Sequence, residues 1–282
     1  MSRTFRFLIV DVFTDVPLAG NQLGVFTDAR GLADDSMQAL ARELGFSETT
    51  FVLPPEQGGD IRMRIFTPSR ELPFAGHPTL GTAFALAGPL QSVVLRIETG
   101  AGIVPVVLER EGAKVVFGRM VQPLPTVARY PAAEDLLAAL GVGAPGLPVE
   151  LYDNGVPHVF IECGSDAEVA ALKPDFARLS AVAGTVGVNC FAVSGTRVKT
   201  RMFAPELGVN EDAATGSAAG PLVVHLSRHR RVGWGDEIII SQGAEIGRPS
   251  TLYARAEGGP DGATVVEVGG SAVVVARGEF AV

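Results

Sequence analysis

"ELPFAGHPTLGTA", residues 71–83, and "APELGVNEDAATGSAAGPL", residues 204–222, share one construction. Each runs from an extended segment through a short polar turn into a helix of small residues. The segments ahead of the turns match as well. IRMRIFTPSREL (61–72) and VKTRMFAPELGV (198–209) carry Arg, Phe and Pro at the same spacing. A strand–turn–helix unit written twice in one chain reads as a divergent internal repeat. Two copies are too few for a solenoid. They suit two domains facing each other across a cleft, a favoured place for a ligand. The proline-rich stretch MVQPLPTVARYP (120–131) marks the boundary. The expected domains are 1–125 and 126–282, with the last strand a candidate to return to the N-terminal domain.

The helices explain why the turns matter. GHPTLGTAFALA and GSAAGPLVV contain no Asp, Glu, Lys or Arg, so each is expected to be buried on most sides. Their small residues let other backbone approach closely, which suits a layer of strands curled around a central helix in each half. A buried helix leaves its first N–H groups without intrahelical acceptors. Two such ends turned into one cleft make a ready carboxylate site. In the first of these helices Pro78 reads as the opening position, Leu80, Ala83, Phe84 and Ala87 as one face, and Gly88-Pro89 as the stop. DDSMQALARELG (34–45) reads as an amphipathic helix opened by acidic caps. Met37, Leu40, Ala41 and Leu44 form its face and Gly45 its stop. FRFLIVDVF, SETTFVL, IRMRIFTP, NGVPHVFIEC and GVNCFAVSG read as strands.

Composition narrows the partners. The 282 residues are 47% hydrophobic and 19% charged, with 34 glycines, as expected of a soluble, loop-rich globular protein. A formal charge of −8 argues against a nucleic-acid surface. It leaves room for an anionic small molecule, because local donors can outweigh a modest global charge. The opening MSRTFRFLIVDVF has only a short apolar run before Asp11, too short for a signal-peptide core, and no stretch approaches membrane-spanning length. The 2 cysteines, Cys163 and Cys190, make no disulfide scaffold. A cytoplasmic protein with no membrane partner is expected.

The chemistry-bearing candidates cluster at the two turns. Glu48, in GFSETTF, stands just past a helix stop at the start of a strand; taken alone, it reads equally as a solvated rim carboxylate. His77 reads as a helix-capping histidine or a functional one, and Asp212 as a helix N-cap or a functional acid. Ser217 doubles as a small packing residue. Their strength lies in combination: one acid with two matched helix entrances. Other patterns carry less. GVGAPG (141–146) satisfies GxGxxG literally, but the helix-like AEDLLAAL precedes it and none follows, the reverse of a dinucleotide-binding context. His225 and His229 stand four apart on a helix without a nearby carboxylate run, so no metal is expected. The cysteines lie inside apolar strands and read as buried and inert. No GxSxG pattern points to a hydrolase.

GNQLGVF, LGFSETTFVL, RMRIFTPSRELPFAGHPTLGTA and EDAATGSAAGPLVVHL together resemble the PhzF family of phenazine-biosynthesis proteins. NGVPHVF and QGAEIGRPS extend the likeness over essentially the whole chain. The resemblance implies an α+β fold of two pseudo-symmetric domains. Each is a curved, mostly antiparallel sheet wrapped around a central helix, as in diaminopimelate epimerase. Epimerases of that fold carry a cysteine in each matching turn. Here the turns hold His77 and Asp212, which favours one-carboxylate over two-thiol chemistry. The implied reaction is the cofactor-free isomerisation of trans-2,3-dihydro-3-hydroxyanthranilate, a small anionic amino acid. The family's catalytic residues match Glu48, His77 and Asp212, with Ser47, Gly76, Gly216 and Ser217 on the substrate. Glu48 would move a proton from C3 to C1, and a base that later returns its proton works best with a pKa near ambient pH. A homodimer is expected from the family. Two alternatives stand beside this reading: a related isomerase or epimerase of another small amino acid, and a non-catalytic ligand-binding relative.

Overall fold

The computed structural model describes residues 3–90 and 93–282, and the repeat is visible in how its strands pair. One unit comprises residues 1–121 and 269–282, the other residues 122–268. The first unit holds β1 (Thr4–Val12), β2 (Asn21–Phe26), β3 (Glu48–Leu53), β4 (Ile61–Phe66), β5 (Glu71–Leu72), β6 (Val94–Thr99), β7 (Gly102–Glu111) and β8 (Lys114–Val121). Its helices are α1 (Asp34–Leu44) and α2 (Gly76–Leu90). In the second unit are β9 (Thr126–Arg129), β10 (Glu150–Asp153), β11 (Pro157–Glu162), β12 (Gly187–Ser194), β13 (Arg197–Ala204), β14 (Val209–Asp212), β15 (Glu237–Gln242) and β16 (Ser250–Gly259). It also carries α3 (Ala133–Leu140), α4 (Asp166–Ala171), α5 (Phe176–Ala183) and α6 (Gly216–Arg228). The chain closes with β17 (Gly262–Gly270) and β18 (Ala272–Ala281), the latter antiparallel to β1.

The same pairings recur in the same order. In the first unit β2 runs parallel to β3, β3 antiparallel to β4, and β4 antiparallel to β5 and parallel to β6. In the second, β11 runs parallel to β12, β12 antiparallel to β13, and β13 antiparallel to β14 and parallel to β15. Side chains repeat with the backbone. Arg64 lies over the Phe66 ring at 5.1 Å and forks onto Glu71 with two 2.7 Å hydrogen bonds. Arg201 lies over the Phe203 ring at 5.1 Å and forks onto Glu211 at 2.8 and 2.7 Å. A planar guanidinium matches a carboxylate and stacks on a ring at once, so this clamp fixes the matched strand against the one that turns back into the helix.

Each helix is buried as its composition demands. α2 packs on β1, β2, β3, β7, β8 and β18, so the sheet curls around it. α6 is buried along Gly216–Ser227. Pro78 takes the third helical position rather than the first, still within the turn whose N–H groups lack intrahelical acceptors. Gly88 and Pro89, the expected stop, instead fall inside the helix, whose bounds are Gly76–Leu90. α6 has an interior proline, Pro221. Its missing N–H would have bonded the Ser217 carbonyl, and Asn154 Nδ2 donates there instead at 3.0 Å. Gln122 Nε2 supports the neighbouring Gly216 carbonyl at 2.8 Å.

Two packed cores are built from the remaining elements. Phe26, Met37, Leu40, Phe51 and Phe66 are among one cluster, with Phe26 stacked on Phe51 at 4.8 Å. Leu136, Val159, Ile161, Leu179, Val188 and Phe203 belong to the other. Cys190 is buried in β12 as expected, whereas Cys163 lies one residue beyond β11 and is only half-buried. The apolar run there outlasts the ladder, because the chain turns at Gly164 toward Ser165, which caps α4. Among the described residues no helix is long and apolar enough to cross a membrane.

Candidate active site

In the first unit the candidates meet at the start of α2. Gly45, left-handed at φ 66°, ends α1 and turns the chain so that Glu48 opens β3. His77 is the second residue of α2, and its Nε2 lies 3.4 Å from Glu48 Oε2. The Glu48 side chain is 16% exposed and that of His77 4%, so the pair sits where a proton transfer is shielded from bulk water. His77 Nδ1 faces Asn21 Nδ2 at 3.3 Å, and Ser47 Oγ donates to Asn21 Oδ1 at 3.3 Å. Burial pushes the imidazole down to about 3, opposed in part by a hydrogen bond with the Gln22 backbone. His77 is therefore neutral at pH 7 and touches the carboxylate without forming a salt bridge. Asn21, buried beneath this group, was missed by residue-type reasoning. Its signal was the GNQLGVF motif, which places it at the first position of β2.

In the second unit Asp212, Gly216 and Ser217 gather at the start of α6. Asp212 ends β14 instead of capping the helix. The cap position belongs to Thr215, whose Oγ1 donates to Asp212 Oδ2 at 2.6 Å. Two intervening alanines carry the chain from strand to helix, which moves Asp212 off the cap while keeping it in reach. Gln242, at the end of β15, ties the turn together. Its Nε2 donates to the Asp212 carbonyl at 2.9 Å and to Thr215 Oγ1 at 2.9 Å, and its Oε1 accepts from Thr215 N at 3.2 Å. Sequence reasoning had no entry to Gln242, although it stands at the head of QGAEIGRPS. Ser217 is the second residue of α6, with its Oγ 3.0 Å from His158 Nε2.

The fold also supplies what the sequence lacked beside His225 and His229. Glu150, from β10, brings Oε2 to 2.8 Å from His229 Nε2 and 3.3 Å from His225 Nδ1. Arg228 and the Tyr152 hydroxyl donate to the same oxygen at 2.9 and 3.0 Å. A guanidinium thus already supplies the positive charge at the oxygen a metal would need, and the cluster reads as an ion-pair network. The His225 hydrogen bond comes first among the contacts that hold Glu150 far below the ordinary carboxylate range.

Buried neutral histidines give the protein a pH-dependent stability. His77 and His158 are each lowered to about 3 by burial, and burial also lowers His225. Below pH 6.5 the unfolded chain binds protons that the folded one excludes, so stability is full above that value and falls as pH drops toward 3. His77 and His158 each contribute a slope approaching about 1.4 kcal/mol per pH unit in that window. Urea midpoints measured from pH 7 to pH 5 are expected to fall steadily, and to fall less steeply in His158→Gln.

Residues 10–278 match the family described as phenazine biosynthesis-like protein. The chain is 50% identical over 273 residues to the trans-2,3-dihydro-3-hydroxyanthranilate isomerase of Pseudomonas aeruginosa, covering 97% of this chain and 98% of that one. It is 49% identical over 97% of its length to the protein of that name from Pseudomonas chlororaphis, covering 98% of that protein. The solved PhzF-family phenazine biosynthesis protein of Bacillus anthracis superposes with a TM-score of 0.84 at 28% identity, covering 99% of this chain and 100% of that one. A hydroxyproline epimerase from Agrobacterium vitis, 14% identical, shares the fold with a TM-score of 0.69 over 99% of this chain and 91% of its own. The α+β fold is thus that of its relatives, and the chain belongs to the phenazine biosynthesis-like, or PhzF, family.

Proposed function

We propose that this protein is a trans-2,3-dihydro-3-hydroxyanthranilate isomerase. The observation that carries the reading is 50% identity to a protein of that name, sustained over 97% of the chain and so through both copies of the repeat. The arrangement around α2 supports a one-base mechanism. Glu48 removes the proton from C3 of the ring, the conjugated electrons shift, and the same carboxylate returns a proton at C1 on the same face. One carboxylate serves as base and then acid because both carbons lie along one reachable edge. The enol so formed tautomerises to an aminoketone. No oxidant or electron sink is needed, since the ring's own double bonds take up the electron pair, and the reading includes no cofactor.

Neutral His77, 3.4 Å from the carboxylate, packs beside Glu48 and brings no positive charge to it. Ser47 and the Gly76 backbone from the first turn, and Asp212, Ser217 and the Gly216 backbone from the second, are the groups assigned to the substrate's amino, hydroxyl and carboxylate groups. A cytoplasmic homodimer completes the proposal, and sedimentation equilibrium tests the dimer. Incubation with trans-2,3-dihydro-3-hydroxyanthranilate in D₂O, followed by absorbance and NMR, tests the function. Substrate is expected to disappear rapidly, with deuterium entering at C1. A substrate left untouched would sink the assignment and move the search to other small amino acids.

A further inference from the structure

The second copy of the repeat lacks the acid of the first, and what replaces it has a definite chemistry. Thr49 pairs with Phe66 and Val188 with Phe203, the matched phenylalanines of the repeat. One residue back, Glu48 therefore corresponds to Gly187. Their partners on the parallel strand correspond too: Leu23 beside Glu48, His158 beside Gly187. The missing side chain leaves room that His158 fills, since a Cβ on Gly187 would fall 2.5 Å from its Nδ1. From there Nε2 reaches to 3.0 Å from the hydroxyl of Ser217. Ser217 follows the glycine that opens α6 as His77 follows the glycine that opens α2. An acid facing a histidine in the first copy has become a histidine facing a serine in the second.

The tautomer follows from Asn189. Its Nδ2 donates to the carbonyls of Val159 at 3.3 Å and Gly187 at 3.2 Å, and lies 3.4 Å from His158 Nδ1. Two carbonyl acceptors identify that nitrogen as the amide NH₂, which accepts no hydrogen bond, so a proton on Nδ1 would face no acceptor there and belongs on Nε2 instead. The residue is 1% exposed and burial pushes it down to about 3. It is neutral, and its single proton is on Nε2. Nε2–H donates to Ser217 Oγ, which leaves the serine's own O–H to donate elsewhere.

Building on the proposed function, we infer that His158, oriented by Asn189, is a positioning residue that commits the Ser217 hydroxyl to donate to the substrate carboxylate. The hydroxyl then acts beside the first N–H groups of α6 on the same negative charge. His158 transfers no proton in the reaction. Its role is in binding.

His158→Leu removes the donor. Its KM for trans-2,3-dihydro-3-hydroxyanthranilate is expected to rise about tenfold with kcat nearly unchanged, as for one lost hydrogen bond to a charged group. His158→Gln, whose amide nitrogen stands near the position of Nε2, restores most of the loss. His158→Asn, too short to reach Ser217, reproduces it and serves if the leucine variant does not fold. On a Ser217→Ala background neither substitution adds a further loss. A calorimetric titration reads binding without turnover: the variants lose affinity for 3-hydroxyanthranilate and keep it for 2-aminophenol, which lacks the carboxylate. Equal losses for both probes, additive losses on Ser217→Ala, or a fall in kcat at constant KM would each overturn the inference. If wild type turns over no substrate while carboxylate binding still depends on His158, the proposed function fails and this inference stands.

Discussion

Glu48→Gln is expected to lower kcat by roughly 10²–10⁴-fold, the range that a positioned acid–base group supplies. Glutamine keeps the side chain's size beside His77, whose Nε2 lies 3.4 Å from Glu48 Oε2. It cannot take up the proton from C3, so binding of 3-hydroxyanthranilate and the urea midpoint should stay near wild type while turnover and deuterium entry at C1 collapse together. Glu48→Asp draws the carboxylate back by one methylene. A displacement of that size costs about 10²-fold where a near-attack geometry is needed. Single-turnover measurement of both variants separates chemistry from release. Residual turnover close to wild type in Glu48→Gln would mean that another group is the base, and the one-carboxylate reading would have to be abandoned.

Arg201→Ala is expected to destabilise the protein by about 3–5 kcal/mol, whereas Arg64→Ala, the matched substitution in the first unit, costs about 1 kcal/mol or less. The two clamps look alike, and what differs is water. The Arg201 and Glu211 side chains are 9% and 8% exposed, while Glu71 and Asp34, the partners of Arg64, are 41% and 78% exposed. Arg201 also donates through Nη1 to the carbonyls of Val169, Ala170 and Leu172 at the end of α4, at 3.3, 3.2 and 2.8 Å. Removing it strands a buried carboxylate and those carbonyls together, whereas solvent repairs the loss around Asp34 and Glu71. Paired urea titrations of the two variants make the comparison. Arg201→Met with Glu211→Leu should recover much of the loss, because an ion pair replaced as a unit leaves no charge behind. Equal costs for the two alanine variants would refute the argument that burial sets the worth of these clamps.

Much of this protein is written locally. The Arg–Phe–Pro match announces the repeat, the absence of charge announces α2 and α6 as buried helices, and Gly45 announces the turn that presents Glu48. Periodicity, glycine stops and side-chain composition act over a few residues, so they survive in the sequence whatever the rest of the chain does. Glu48, His77, Asp212 and Ser217 were legible as candidates for the same reason, since each adjoins a turn that feeds a strand or a helix. Their partners were not. Asn21 beneath His77 had only the GNQLGVF motif to mark it; Gln242 across the α6 turn and His158 with Asn189 behind Ser217 reach their places through strand register, and no local pattern marks a residue for a neighbour dozens of positions away. Glu150, 79 positions from His229, completes a cluster that the helix spacing alone left without a carboxylate. The same holds for energy. Sequence wrote Arg64 with Phe66 and Arg201 with Phe203 alike, and only the tertiary structure decided which clamp is dry, because burial is a property of everything packed around a side chain.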